Sequence, residues 1–242
     1  RWRTPDRFAD LHTRARAYYM GHIKGASAQE QRRILSDLIY LHRENPSVRP
    51  FFQWQESGTV FTDAFRPDDA ETLADMVARH EGPESAALAI HWFARQPHNV
   101  NVLRGAASDP VGFLARVSLE ATTPADRQLD PAVDAAWRVL NRKPLRGGET
   151  AILYRFWMAA ESHQSVSPEQ TRLVLNIIQD YLITPGLAFT FVPLADVEFW
   201  RMAFEYSDME RLPEADFTIG GHHYGVYGHD WRVTPPLAWF EL

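Results

Sequence analysis

The run between Gly148 and Gly186 constrains the fold more than any other part of the chain. Residues 151–159 (AILYRFWMA) are apolar, rich in aromatic and branched side chains, and preceded by Gly147 and Gly148, the pattern of a buried strand. Residues 160–167 (AESHQSVS) are polar and short. Ser167 then reads as a helix N-cap, Pro168 takes the first helical position, and Glu169 and Gln170 fill the first turn. The helix carries Leu173, Val174, Ile177, Ile178, Tyr181 and Leu182 on one face. After Pro185 and Gly186, LAFTFVPL is a second apolar run. Strand, loop, helix and strand make a parallel crossover, which is right-handed and sets a helix against a sheet. The loop at 160–167 also enters a helix N-terminus, where unpaired N–H groups and the helix dipole attract an anion.

The rest of the chain supplies a sheet around this unit. TVFTDAF (59–65) alternates as a strand, and helices follow over 69–80 and 84–95, broken by Gly82-Pro83. Residues 99–104 and 111–119 read as a β-hairpin, and 131–140 as a short helix. Asp196 caps a helix to Tyr206, and 217–219 with 222–229 form a last hairpin around Gly220-Gly221. Short turns imply antiparallel pairs and the crossover a parallel one, so the fold class is α/β with a mixed central sheet. Ahead of it, residues 4–45 form a helical hairpin, with Thr4 and Ser27 as N-caps and Pro46 and Pro50 as its end. The domain reading is therefore a helical unit over 1–50 and an α/β body over 51–242, in contact through Phe51, Phe52 and Trp54.

Composition excludes several functions. The 242 residues are 45% hydrophobic and carry a net charge of -6 without a basic run, which argues against nucleic acid as partner. With no cysteine there is no disulfide, thiol nucleophile or thiolate metal site, and the cytoplasm is the expected compartment. No apolar run reaches the ~18–20 residues that span a bilayer. His222, His223 and His229 lack metal-ligand spacing, since adjacent strand residues face opposite ways, so no metal is expected. The first and last residues read as cuts from a longer polypeptide, and the expected partners are its other domains and a small molecule.

The element order over residues 57–231 resembles the GNAT acyltransferase superfamily. AILYRFWMAAESHQSVSPEQTRLVLNIIQDYL stands as fourth strand, phosphate-cradling loop and third helix, LAFTFVPL as fifth strand, and DVEFWRMAFEY as fourth helix. The resemblance implies that strands 151–159 and 187–194 start parallel and splay near Ala159, and that an acyl-CoA such as acetyl-CoA is the ligand. Its pyrophosphate would lie over Ser162, His163, Gln164, Ser165, Val166 and Ser167, with Arg172 in support and Trp157 and Met158 at the cleft. Glu149, with Glu120 as a second carboxylate, would be the general base, and Tyr206 the acid. The family's loop follows an Arg/Gln-x-x-Gly-x-Gly/Ala pattern, whereas AAESHQSVSP holds no glycine and adds the charge of Glu161. Without glycine the backbone approaches phosphates less closely, so the expected site is degenerate.

The amino-terminal phrase TPDRFADLHTRARAYYMGHI resembles the helices that follow the winged-helix portion of STAND-type bacterial signal-transduction ATPases. That implies a domain downstream of a nucleotide switch. The chain has no GxxxxGK[ST] loop to bind a nucleotide itself. The combined expectation is a ligand-binding or sensory domain of a larger bacterial signalling protein with a degenerate acyl-CoA site. An active N-acyltransferase is the alternative. A structural interaction domain follows if side chains fill the cleft.

Overall fold

The computed structural model describes residues 5–23, 25–41, 49–51 and 60–239. Helices α1 (Pro5–Ile23) and α2 (Ala28–Leu41) form the expected hairpin. Ser27 starts α2 through a capping box: its N–H donates to Glu30 Oε2 at 2.9 Å, and its Oγ accepts from the Glu30 N–H at 3.4 Å. Thr4, Phe52 and Trp54 lie outside the described residues, as does the contact assigned to Phe51, Phe52 and Trp54.

The body continues with β1 (Phe61–Ala64), α3 (Ala70–Glu81), α4 (Pro83–Arg95), β2 (Val100–Arg104), β3 (Pro110–Ser118), α5 (Pro124–Leu129) and α6 (Pro131–Leu140). Then come β4 (Thr150–Ala159), α7 (Pro168–Ile183), β5 (Leu187–Leu194), α8 (Val197–Tyr206), β6 (Glu210–Arg211), β7 (Phe217–Ile219), β8 (His222–Asp230) and α9 (Pro236–Trp239). The sheet order is β1-β2-β3-β4-β5-β8-β6, with β7 paired to β8. β4 and β5 run parallel, joined through α7, and the other described pairs are antiparallel. This is the GNAT-like mixed sheet with flanking helices that the sequence implies. Three short elements, α5, β6 and α9, are additions to that reading. They span six, two and four residues, too few for a hydrophobic period to register.

Each face of the sheet carries its own core. On one face Leu73, Val77, Trp92, Phe93, Val133 and Val139 of α3, α4 and α6 pack on Phe113, Phe156 and Met158. On the other, Leu173, Ile177 and Tyr181 of α7 and Trp200 of α8 pack on Leu114, Tyr154, Trp157 and Val192. Caps fix where the helices begin. Asp130 accepts from the Ala132 N–H at α6, Ser167 from the Gln170 N–H at α7, and Asp196 from the Phe199 N–H at α8.

Candidate functional site

β4 and β5 pair from Thr150↔Leu187 to Leu153↔Phe191 and then separate, although both strands continue. The cause is visible on the other edge of β4. There Ala115 opposes Phe156 while Val117 opposes Leu153, so three steps along β4 answer two along β3. The extra residue lies at Tyr154–Arg155, and such a bulge bends its strand and increases its twist. The expected splay toward Ala159 is therefore present.

The splay is filled from within. Trp157, buried to 1% exposure, donates from its indole Nε1 to the Pro193 carbonyl of β5 at 2.9 Å. Gln164 reaches in from the loop: its Nε2 donates to the same carbonyl at 3.2 Å, and its Oε1 accepts from the Ala195 N–H at 2.9 Å. The loop also folds back on the end of β4. Ala159 donates to the His163 carbonyl at 2.8 Å and accepts from the His163 N–H at 3.1 Å, with His163 at a positive φ of 54°. From α3, His80 Nε2 and Arg79 both donate to the Ala160 carbonyl, and Arg79 pairs with Glu161 at 3.2 Å.

Two polar groups at the start of α7 are left over. Gln170 has 0% exposure, and neither its Oε1 nor its Nε2 has a hydrogen-bond partner among the described residues. The Ser162 Oγ is buried in the same condition. In the S-x-x-Q pattern at 167–170 the Gln170 amide would turn back to the cap. It turns inward instead, on the stripe that continues through Leu173 and Ile177 to the sheet.

Of the residues read from sequence, Trp157 and the loop residues Ser162, His163, Gln164, Ser165, Val166 and Ser167 come together at the splay. Their roles differ from those assigned. Gln164 binds β5, Ser167 caps α7, Ser165 is exposed, and His163 points to α3, its Nε2 3.6 Å from Glu81 Oε1 and its ring stacked on His80. Met158 is buried in the core on the opposite face. Arg172 leans to the sheet edge, its Nε donating to Thr62 Oγ1 at 3.3 Å.

Glu149 stands just ahead of β4, at the far end from Ala159. Ten residues at ~3.3 Å each put it roughly 30 Å from Ala159. There it accepts from the Arg146 N–H and lies 3.6 Å from Arg232. Glu120 accepts from the Ala151 N–H at the same end. Tyr206 is 46% exposed at the end of α8, and the ring packed inward there is Phe204, 4.9 Å from Tyr227. His222 and His223 are exposed, whereas His229 is buried with Nδ1 2.8 Å from the Asp208 carbonyl.

A charged network behind the splay was not read from sequence. Arg155, on the β4 bulge, is buried with Asp130 and Glu81. Its Nε donates to Asp130 Oδ2 at 2.9 Å, and its Nη1 lies 3.5 Å from Glu81 Oε2. Trp92 Nε1 donates to Asp130 at 2.8 Å and Ser85 Oγ to Glu81 at 2.6 Å. Burial works to raise the Glu81 pKa, but His163, Arg155 and Ser85 outweigh it and hold the carboxyl below its usual range. Burial and the Glu81 charge push the Tyr224 phenol up. The available signal was Arg155 itself, a lone charge inside the apolar run AILYRFWMA, because a buried guanidinium requires carboxylate partners.

No protein-family model and no curated protein matches the chain. Among solved structures it is similar to a GNAT-family acetyltransferase from Bacillus cereus, at 8% identity and TM-score 0.42, over 72% of this chain and 98% of that one. It is similar to an agmatine N-acetyltransferase mutant at 11% identity and TM-score 0.47, over 71% and 99%. It is also similar to spermidine N-acetyltransferase from Vibrio cholerae at 14% identity and TM-score 0.41, over 73% and 97%. Scores and identities this low carry no argument about chemistry, and the fold stands on the strand order and the splayed parallel pair.

Proposed function

We propose that this chain is a GNAT-like regulatory or structural interaction domain of a larger bacterial, cytoplasmic signalling protein, with an acyl-CoA groove closed by its own side chains. The observation that carries this reading is the pair Trp157 and Gln164, both bonded to the Pro193 carbonyl across the splay. An acyl-CoA arm would have to displace them to pair with the same strand edges. The loop lacks glycine, and Glu149 stands ahead of β4, at the end away from Ala159. Its partners in this reading are the other domains of the same polypeptide, which the helical hairpin would join.

The test is calorimetric titration of the protein with acetyl-CoA and longer acyl-CoAs. The closed groove gives no binding heat up to millimolar ligand, a binding free energy no better than about −4 kcal/mol. Micromolar binding would abandon this reading for the second one, an N-acyltransferase using acetyl- or acyl-CoA. One observation favours that alternative: the unpartnered Gln170 amide and Ser162 hydroxyl at the start of α7 are groups that a bound ligand would satisfy.

A further inference from the structure

We infer that the cleft where α4 ends, β2 begins and β3 ends is a binding site for a small zwitterion, with an α-amino acid as the ligand class. It lies at the other end of the sheet from the splay: along β3, Gly112 faces Ala159, whereas Ser118 faces Ile152. The inference therefore stands apart from the closed groove. The cleft measures about 330 Å³, at the small end of the ~300–1,000 Å³ of small-molecule pockets. Arg95, Gln96, His98, Asn99, Ser118 and Glu120 line it, and among the described residues only Ala121 adds an apolar side chain. Such a wall suits a small ligand that is polar over most of its surface.

Gln96 builds the floor. It is buried, its Oε1 accepts from Asn99 Nδ2 at 2.7 Å and from the Ser118 N–H at 2.9 Å, and its Nε2 donates to the Ser118 carbonyl at 3.3 Å. These bonds tie the turn at 97–99 to the end of β3, so the floor is formed before any ligand arrives. Two opposite charges stand at its edges, each anchored through one atom. Arg95 Nη2 donates to Asp126 Oδ2 at 3.2 Å, and the Thr123 N–H and His91 hold Asp126 in turn. Glu120 Oε2 accepts from the Ala151 N–H at 3.1 Å. The remaining guanidinium N–H groups of Arg95, the Glu120 Oε1 and the exposed His98 imidazole make no hydrogen bond among the described residues. Cation and carboxylate are thus both positioned and both have bonding capacity left. A simple anion here meets the charge of Glu120, and a simple cation that of Arg95. A zwitterion answers both, with its carboxylate toward Arg95 and His98 and its ammonium toward Glu120, through charge-assisted hydrogen bonds at each end.

Calorimetric titration with each of the proteinogenic α-amino acids, and with acetate and methylammonium as probes of one charge each, tests the inference. At least one amino acid should bind with a dissociation constant below about 1 mM. Acetate and methylammonium should each bind about tenfold more weakly or worse, since each forgoes one charged hydrogen bond. Glu120→Gln keeps an acceptor for the Ala151 N–H and loses the charge, so it should weaken the amino acid by about tenfold or more. In the unaltered protein, the bound amino acid should shift the amide NMR signals of Asn99, Ser118 and Ala121 and leave those of Ala159 and His163 in place. No binding by any of the amino acids up to about 10 mM overturns the inference. So does acetate that binds as tightly as the amino acid, or a Glu120→Gln protein that binds it unchanged. Signal shifts confined to residues 159–167 overturn it too, even if the variant does not fold.

Discussion

The indole Nε1 of Trp157 donates to the Pro193 carbonyl at 2.9 Å, across the point where two parallel strands part. The same ring packs edge-on against Trp200 of α8, 5.7 Å between centroids, so one side chain joins β4, β5 and the helix that follows. Trp157→Phe keeps most of the packing and loses the hydrogen bond, a cost of about 1 kcal/mol. Trp157→Ala opens a cavity in this core and should cost ~3–5 kcal/mol. Urea unfolding of the two variants separates the terms. Equal losses would mean that the ring does not pack as described.

The buried network around Arg155 predicts a different pattern. Arg155→Met removes the cation and leaves Asp130 and Glu81 without it, which should cost ~3–5 kcal/mol. The urea midpoint should fall with the slope unchanged. Arg155→Lys keeps the charge but loses the planar fork that reaches Asp130 and Ser85 together, so it should lie between the two. Indifference to both substitutions would show that the guanidinium is solvated.

The fold was more legible than the site, and individual residues show why. Ser167-Pro168 and LAFTFVPL set the bounds of α7 and β5 because caps and apolar runs act within a few residues. Gln164 looked like a loop residue offered to an anion. That it turns onto β5 depends on a bulge in β4, and bulges leave no periodic trace in a strand that is buried along its length. Glu149 was placed by analogy with a strand's position, and analogy does not specify which end of the strand faces the cleft. Asp130 reads as a helix cap, which it is. Its second task, holding Arg155, joins residues 25 apart and is a tertiary fact.

Acid should loosen the same network. The Glu81 carboxyl, with an ordinary value of 4.5, is depressed in the folded protein. A depressed carboxylate contributes stability that is fully present above its unfolded pKa and is lost as pH falls through the folded one. Stability should therefore decline below about pH 4.5. Glu81→Gln should flatten part of that decline, although it is less stable at neutral pH. Some acid dependence should remain, because Asp63, held down by Arg104, and Asp230, held down by Arg232 against its burial, titrate in the same direction. Thermal melts from pH 7 to pH 3 would show it, and parallel profiles for Glu81→Gln and the unaltered protein would remove Glu81 from the account.

The boundary expected near residue 50 makes the last prediction. Among the described residues, both core clusters draw their members from Val60 onward, whereas Ile23 and Leu38 are buried but belong to neither. α2 touches the body at α7. A chain lacking residues 1–45 should then keep its sheet and unfold in one cooperative transition, because no described member of either core is removed. Its solubility should drop, since the α7 surface that α2 covers becomes exposed. Circular dichroism and urea unfolding of the truncated chain test this directly. A shortened protein with no cooperative transition would mean that α1 and α2 complete the core, and that one domain spans the described residues from Pro5 to Trp239.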